Sequence, residues 1–296
     1  MISFDKFYSL FQKNLQNLYK NSKEIESIFF LLMTHIFKCD KTTILLKLSK
    51  KGKIHFIIYK KLIKKLWELK KNKPIQYVIG KAYFFDMEFI VNKNVFIPRQ
   101  ETEELVYWIL QDNKNTKNSQ IFDIGTGSGC ISITLKKKKP KIGHIYAIDF
   151  SQKIIDIARK NAKLHNVKIS FKKVNILNSD IPIQKKINNN SIIIIISNPP
   201  YIRISEKKLL HPNIIQYEPF QSLFVPDKDP LIFYKKISFW IKKKLTGIVY
   251  VYFEINQFIY LDIIKFLKKI GFFNIKIKKD FHGFFRMIRA VYYKKK

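Results

Sequence analysis

The sequence predicts an α/β protein: a mostly parallel, doubly wound sheet preceded by a small helical domain and a linking β-hairpin. Three observations carry this. From Gln120 onward, short β-branched runs alternate with amphipathic stretches, the pattern of strands joined by crossover helices. Ile192 to Ile196 are uninterrupted isoleucines, the signature of a strand buried on both faces and therefore covered by helices. The first strand of the series runs into Gly125-Thr126-Gly127-Ser128-Gly129, a turn that lets backbone approach a ligand at the carboxyl edge of a sheet.

Taken in order, Phe4 to about Lys71 shows apolar residues at three- and four-residue spacing: Phe4, Phe7, Tyr8, Phe11, Leu15, Leu18, then Ile25, Ile28, Phe29, Leu32, Ile36. Asn21-Ser22 before Glu24 marks a helix start. A further helix is expected over His55 to Leu69, with Ile57, Ile58, Leu62, Leu66 and Trp67 as its apolar face. Residues 1–72 are thus read as a helical recognition domain, with His35 and His55 as ordinary core or surface residues. Residues 73–97 read as a linking hairpin: runs at Ala82 to Val91 and Val95 to Ile97, turned at Asn92-Lys93-Asn94. Residues 98–296 form the α/β domain. Thr102 before an acidic first turn reads as a helix cap, with Arg99 and Glu101 as capping or surface charges. Strands are expected at 121–124, 144–149, 168–174, 191–197 and 247–255. A last pair, near 273–277 and 286–293, lacks an intervening helix and should be antiparallel.

The bulk properties narrow the class. The 296 residues are 47% hydrophobic and 15% aromatic, enough for a sizeable core and far from the composition of disorder. Two cysteines, Cys39 and Cys130, make neither a disulfide nor a metal pattern, which suits a reducing cytoplasm. No apolar run is long enough to span a membrane, and no metal-ligand spacing is present. The net charge of +34 invites a nucleic-acid reading, yet the lysines are scattered in short runs along the whole chain. An excess of Lys, Ile, Asn, Phe and Tyr over Ala and Gly is what AT-rich coding produces, so the charge reads as compositional drift rather than a dedicated face. A weak attraction to RNA follows either way.

Chemistry concentrates at two strand ends. After the isoleucine run come Asn198-Pro199-Pro200-Tyr201. Consecutive prolines remove two N–H donors and stiffen the backbone. The Asn198 side-chain carbonyl and the Pro199 backbone carbonyl can then accept from both hydrogens of a planar –NH2 group, and Tyr201 can stack on it. The other end holds Asp123-Ile124-Gly125-Thr126-Gly127-Ser128-Gly129, with Asp149 closing the next strand, where its carboxylate can accept from both hydroxyls of a ribose. The helix N-terminus after the turn favours a small ligand's carboxylate. The spacing is G-x-G-x-G rather than the dinucleotide G-x-G-x-x-G, and no phosphate-binding G-x-x-x-x-G-K-[ST] loop occurs.

Asp123 to Gly129, Asp149 and Asn198 to Tyr201 resemble the Rossmann-like, S-adenosylmethionine-dependent methyltransferases of planar nitrogens. Ile97-Pro98-Arg99-Gln100-Glu101-Thr102-Glu103 resembles the Ile-Pro-Arg-Pro-Glu-Thr-Glu signature of the HemK-like protein-(glutamine-N5) methyltransferases, with Gln100 in place of Pro. Gln76 to Gly80 and Tyr217-Glu218-Pro219 are similar to flanking segments of that family. The resemblance covers nearly the whole chain. It implies a cytoplasmic, monomeric enzyme that methylates the side-chain amide of a glutamine in peptide chain release factors, with no need for nucleic acid. It also implies S-adenosylmethionine contacts from Asp123, Gly125, Thr126, Gly127, Ser128, Gly129 and Asp149, from Asn175 and Ile176 after the third strand, and from Asn198. Catalytic and substrate contacts fall to Asn198, Pro199, Pro200 and Tyr201. Two other functions share these features: an adenine-N6 methyltransferase of DNA or RNA, for which no target-recognition domain is seen, and a non-catalytic RNA- or ribosome-binding protein.

Overall fold

The computed structural model describes residues 2–19, 21–114, 117, 119–182 and 192–295. The chain divides into two compact units, Met1–Lys81 with His211–Tyr217, and Ala82–Leu210 with Glu218–Lys296.

The first unit is a helical cluster. Its helices span Phe4–Leu15, Ser22–Phe37, Lys41–Ser49, Phe56–Lys70, Ile75–Ile79 and, from later in the chain, Pro212–Tyr217. Phe4, Phe7, Phe11 and Leu15 recur on one helical face and are buried, meeting Ile25, Ile28, Phe29 and Leu32 of the next helix. Aromatic rings cluster within this core, with Phe11 and Phe29 edge to face at 5.4 Å. The Asn21 side chain caps the second helix, accepting from Lys23 N–H at 2.9 Å. Leu18, expected in this core, lies beyond the first helix and is exposed. The face of Phe56–Lys70 also differs from expectation. Leu62, Leu66 and Leu69 are buried, while Ile57 and Trp67 project to solvent, Trp67 with the Lys70 ammonium over its ring.

A hairpin, all of it but Lys81 in the second unit, pairs Lys81–Phe84 with Met87–Ile90. Its turn is Phe85-Asp86, both at positive φ, and not Asn92-Lys93-Asn94. The Asn segment instead forms a local turn, in which Asn92 Oδ1 accepts from Asn94 N–H and Asn92 C=O from Val95 N–H.

The main sheet has strands β1 Ser119–Ile124, β2 Gly143–Asp149, β3 Ser170–Lys173, β4 Ile193–Ser197, β5 Gly247–Glu254, β6 Phe273–Lys279 and β7 Phe285–Lys294. Ser191, where the sequence starts the fourth strand, lies outside the described residues. The spatial order is β6-β7-β5-β4-β1-β2-β3. The five strands from β5 to β3 are parallel, while β7 runs antiparallel to both β5 and β6. Helices α1 Gln100–Asp112, α2 Cys130–Lys138, α3 Gln152–Leu164, α4 Ile232–Lys244 and α5 Tyr260–Lys269 cover the sheet. The isoleucine strand divides its side chains between two cores. Ile193 and Ile195 pack with Trp240, Ile241 and Ile263 of α4 and α5, and Ile194 and Ile196 pack with Leu105, Ile109 and Ile133 of α1 and α2. No helix among the described residues is long and apolar enough to cross a membrane.

Candidate active site

Strand register sets the site. Ile124 pairs with Ile148, Asp123 with Ile196, and Ser197 with Phe253. One residue further on, Asp149, Gly125, Asn198 and Glu254 therefore stand level along the carboxyl edge of four adjacent parallel strands. A cavity of about 360 Å³ opens over that edge. Gly125 to Ser128, Asp149, Asn175, Ile176 and Asn198 to Tyr201 all border it, so one cavity brings the two sequence motifs together.

The glycine turn is held from behind. Gly125 N–H and Thr126 N–H both donate to the Ile148 carbonyl, at 2.8 and 2.9 Å. Asp123 is fully buried under the turn and accepts from the hydroxyls of Thr126, at 2.7 Å, and Ser132; burial pushes its carboxyl upward. The cavity wall is made by its neighbours rather than by Asp123 itself. Gly127, at φ +56°, would meet nothing within 4 Å if it carried a Cβ, so backbone conformation and open space at the cavity, not crowding, suit glycine there. Gly129 differs: a Cβ would come within 2.9 Å of Ile133 Cδ1 and 3.3 Å of Ala158, so it lets α2 and α3 close up behind the turn. Asn161, buried on α3, donates to the Ser128 carbonyl at 2.9 Å and exchanges hydrogen bonds with both backbone groups of Ile90, tying turn and hairpin together. Nothing in the sequence near Asn161 signalled this.

Asp149 accepts from Gly127 N–H through Oδ2 at 3.0 Å and from Phe150 N–H through Oδ1 at 2.8 Å. Burial pushes its carboxyl up to about 6, against the pull of those amides. Each oxygen keeps lone-pair capacity at the cavity wall for a hydroxyl pair. Asn175 turns the chain after β3, its Oδ1 accepting from Leu177 N–H at 3.1 Å, and Ile176, Leu177 and the partly exposed Phe150 ring add apolar surface to the cavity lining. Phe150 escaped the sequence analysis, although its position next to the strand-ending acid could have flagged it. The open glycine turn, the doubly acceptable carboxylate and the flat apolar walls fit a nucleoside carrying a small polar tail.

At the other end, Ser197 Oγ donates to the Ile124 carbonyl at 2.6 Å, locking β4 to β1 where the Asn198–Tyr201 loop departs. Asn198 Nδ2 donates to Thr102 Oγ1 at 3.0 Å, and Thr102 Oγ1 donates to Glu254 Oε2 at 2.7 Å. Tyr201 OH donates to the other oxygen of Glu254 at 3.1 Å, and the Tyr201 carbonyl accepts from Asn256 Nδ2 at 3.1 Å. Burial raises the Glu254 carboxyl to about 7, partly offset by Thr102, Arg286 and Tyr201. Thr102 is therefore no helix cap. The helix begins at Gln100 with Arg99 at the N-cap position, which turns Thr102 inward to 2% exposure. Nor is Arg99 a surface charge: it pairs with buried Glu218, lies 4.8 Å from the Phe96 ring, and Glu218 also accepts from Ile97 N–H. Burial raises the Glu218 carboxyl against the attraction of Arg99. Phe96, Pro98 and Thr102 from this segment complete the cavity wall.

A family model described as the methyltransferase small domain matches residues 87–217. A release factor glutamine methyltransferase of Flavobacterium psychrophilum is 42% identical over 274 residues, covering 91% of this chain and 93% of that protein. The chain belongs to the release factor glutamine methyltransferase family. A second member, from Bacteroides thetaiotaomicron, is 34% identical and covers 94% of this chain and 96% of its own length. Among solved structures, the hMettl16 catalytic domain in complex with a MAT2A 3′UTR hairpin aligns over 69% of this chain and 74% of its own, with a TM-score of 0.50 and 14% identity, a likeness of fold.

Proposed function

We infer that this protein methylates the side-chain amide nitrogen of a glutamine in peptide chain release factors, with S-adenosylmethionine as methyl donor. The observation that carries this is that one cavity is bordered both by Asp149 with the Gly125–Ser128 turn and by the Asn198–Tyr201 loop. Asp149 would hold the ribose hydroxyls, the turn would leave room for the amino-acid portion, and Phe150, Asn175, Ile176 and Leu177 would enclose the base. When bound, the cofactor supplies an electrophilic methyl group carried on a sulfonium.

The chain's own part is to hold the acceptor. A primary amide nitrogen is a poor nucleophile because its lone pair is delocalised into the carbonyl. With Nδ2 committed to Thr102, Asn198 would have Oδ1 left to offer the cavity it borders. That oxygen and the Pro199 carbonyl can accept from the two amide hydrogens, fixing the –NH2 group and drawing charge onto its nitrogen. Positioning of this kind replaces a random encounter with an oriented one. The proline pair resists rearrangement, so the two oxygens already face the nitrogen as positive charge develops there. The methyl group takes the place of one amide hydrogen, which leaves as a proton. Tyr201, anchored by Glu254 at its hydroxyl and by Asn256 at its carbonyl, offers a ring for the planar amide to lie against.

The helical unit would recognise the protein substrate, and the enzyme would act as a cytoplasmic monomer without nucleic acid. The experiment is to incubate the protein with S-adenosylmethionine and a purified release factor, then read the mass of the glutamine-bearing peptide. A gain of one methyl on glutamine nitrogen supports the reading. Methylation of adenine in parallel DNA or RNA samples, with the release factor untouched, would refute it.

A further inference from the structure

A primary amide can be turned either way round, and only one orientation of Asn198 offers an acceptor to the cavity. The neighbouring groups decide which. Glu254 is 2% exposed, and as a carboxylate it can only accept. Its two oxygens take the Thr102 and Tyr201 hydroxyl hydrogens, at 2.7 and 3.1 Å. Thr102 has one hydroxyl hydrogen, and Glu254 has claimed it. Toward Asn198 the Thr102 oxygen can therefore only accept, so the group facing it must be the Nδ2 amide, at 3.0 Å. Reversing the amide would set Oδ1 against an oxygen with no hydrogen left to give, a buried acceptor–acceptor clash. The polarity of the chain is thus fixed from its far end: Asn198 N–H to Thr102, Thr102 O–H to Glu254, Tyr201 O–H to Glu254.

Resting on the reading above that Asn198 grips the substrate amide, we propose that Thr102 and Glu254 are positioning residues for methyl transfer: Thr102 fixes which end of the Asn198 amide faces the cavity, and Glu254 fixes Thr102 and Tyr201 together. Neither touches the reacting atoms. The device depends on Glu254 being ionised. A protonated acid can donate to Thr102, whose own hydrogen is then free to swing to Asn198 Oδ1 and admit the wrong orientation. The burial that lifts the Glu254 carboxyl to about 7 puts this switch in the neutral range. The other titratable groups whose fields reach Glu254 are Arg286, which favours the carboxylate, Glu101, which opposes it, and Tyr201, Tyr234 and Cys130, whose own protons burial holds on more tightly.

The test uses the full chain, a release factor and S-adenosylmethionine, with Thr102→Val, Thr102→Ser and Glu254→Gln. Thr102→Val keeps shape but removes the oxygen; kcat should fall about 10²-fold, the scale of a misplaced reacting group, with S-adenosylhomocysteine affinity kept within about threefold. Thr102→Ser restores the hydroxyl and should return kcat to within about fivefold of the parent. The parent's kcat should rise about tenfold per pH unit below pH 7 and level off above it, and Glu254→Gln should be slow and flat across that range. Thr102→Val at parental kcat, or Thr102→Ser as slow as Thr102→Val, overturns the proposal. So does a flat pH profile of the parent, which needs no variant to fold. A second readout is independent of turnover: the ¹⁵N side-chain amide resonance of Asn198 in the unliganded parent should titrate with Glu254 and lose that titration in Glu254→Gln. If the parent leaves the release factor unmodified, the proposed function fails while the amide titration still decides the positioning claim; a resonance that ignores pH between 6 and 8 refutes it.

Discussion

Asp149→Ala removes a carboxylate from the cavity wall, where the proposed function puts the ribose, and its effect can be worked from the structure. Two ribose hydroxyls donating to a charged acceptor are worth about 1.5–3 kcal/mol each, so about 3–6 kcal/mol in all, or about 10²- to 10⁴-fold in Kd. Water can enter the space left by alanine and satisfy the freed Gly127 and Phe150 amides, which places the expected loss toward the lower end. A pH signature accompanies it. Burial holds the Asp149 proton up to about pH 6, and hydroxyl donors favour the ionised form. Affinity for S-adenosylhomocysteine should therefore fall about tenfold per pH unit below about 6 and be level above 7. Stability has the opposite sense: the native state binds this proton more tightly than the unfolded chain, so the contribution of Asp149 is fully present below the unfolded value of 3.8 and is lost as pH rises through about 6. Isothermal titration calorimetry with S-adenosylhomocysteine between pH 5.5 and 8 on the parent, Asp149→Ala and Asp149→Asn reads the affinity loss and its pH dependence. A parent affinity that does not change with pH, or an alanine variant within threefold of the parent at pH 7.5, would show that the ribose contact lies elsewhere.

Two further predictions concern the frame. Ile195→Ala in the central strand, fully buried among Trp240, Ile241 and Ile263, should lower stability by about 2–5 kcal/mol in urea unfolding; a loss under about 1 kcal/mol would contradict a strand buried on both faces. Arg99→Met strands the Glu218 carboxylate without its cation and should cost about 1–3 kcal/mol at pH 8, moderated because Arg99 is about one-third exposed. Adding Glu218→Gln should recover most of that loss, and a double variant no more stable than the single would sink the ion-pair account.

What the sequence made legible follows from which forces are local. The isoleucine run, its Pro-Pro stop and the glycine turn declare themselves over a few residues, because burial on both faces, missing N–H donors and positive φ leave direct marks on composition. The sequence sets Asp149, Gly125 and Asn198 at or just past strand ends, and the register that brings them level is a property of the folded sheet. Thr102, Glu254 and the Arg99–Glu218 pair were hidden for the opposite reason. Their roles arise from contacts between residues 152 and 119 positions apart, and a threonine in an acidic first turn looks like a cap whichever way it faces. The hairpin was misplaced because Phe85-Asp86 adopts a turn that asparagine and glycine usually signal, while Asn92-Lys93-Asn94 supplied that signal in a shorter local turn.

The most direct test is single-turnover methyl transfer by Asn198→Ala beside a measurement of its affinity for S-adenosylhomocysteine. Loss of a preorganised acceptor predicts a rate reduced about 10²- to 10³-fold with cofactor affinity within about threefold of the parent. A variant that transfers methyl to glutamine at close to the parental rate would contradict the view that this amide oxygen holds the substrate nitrogen.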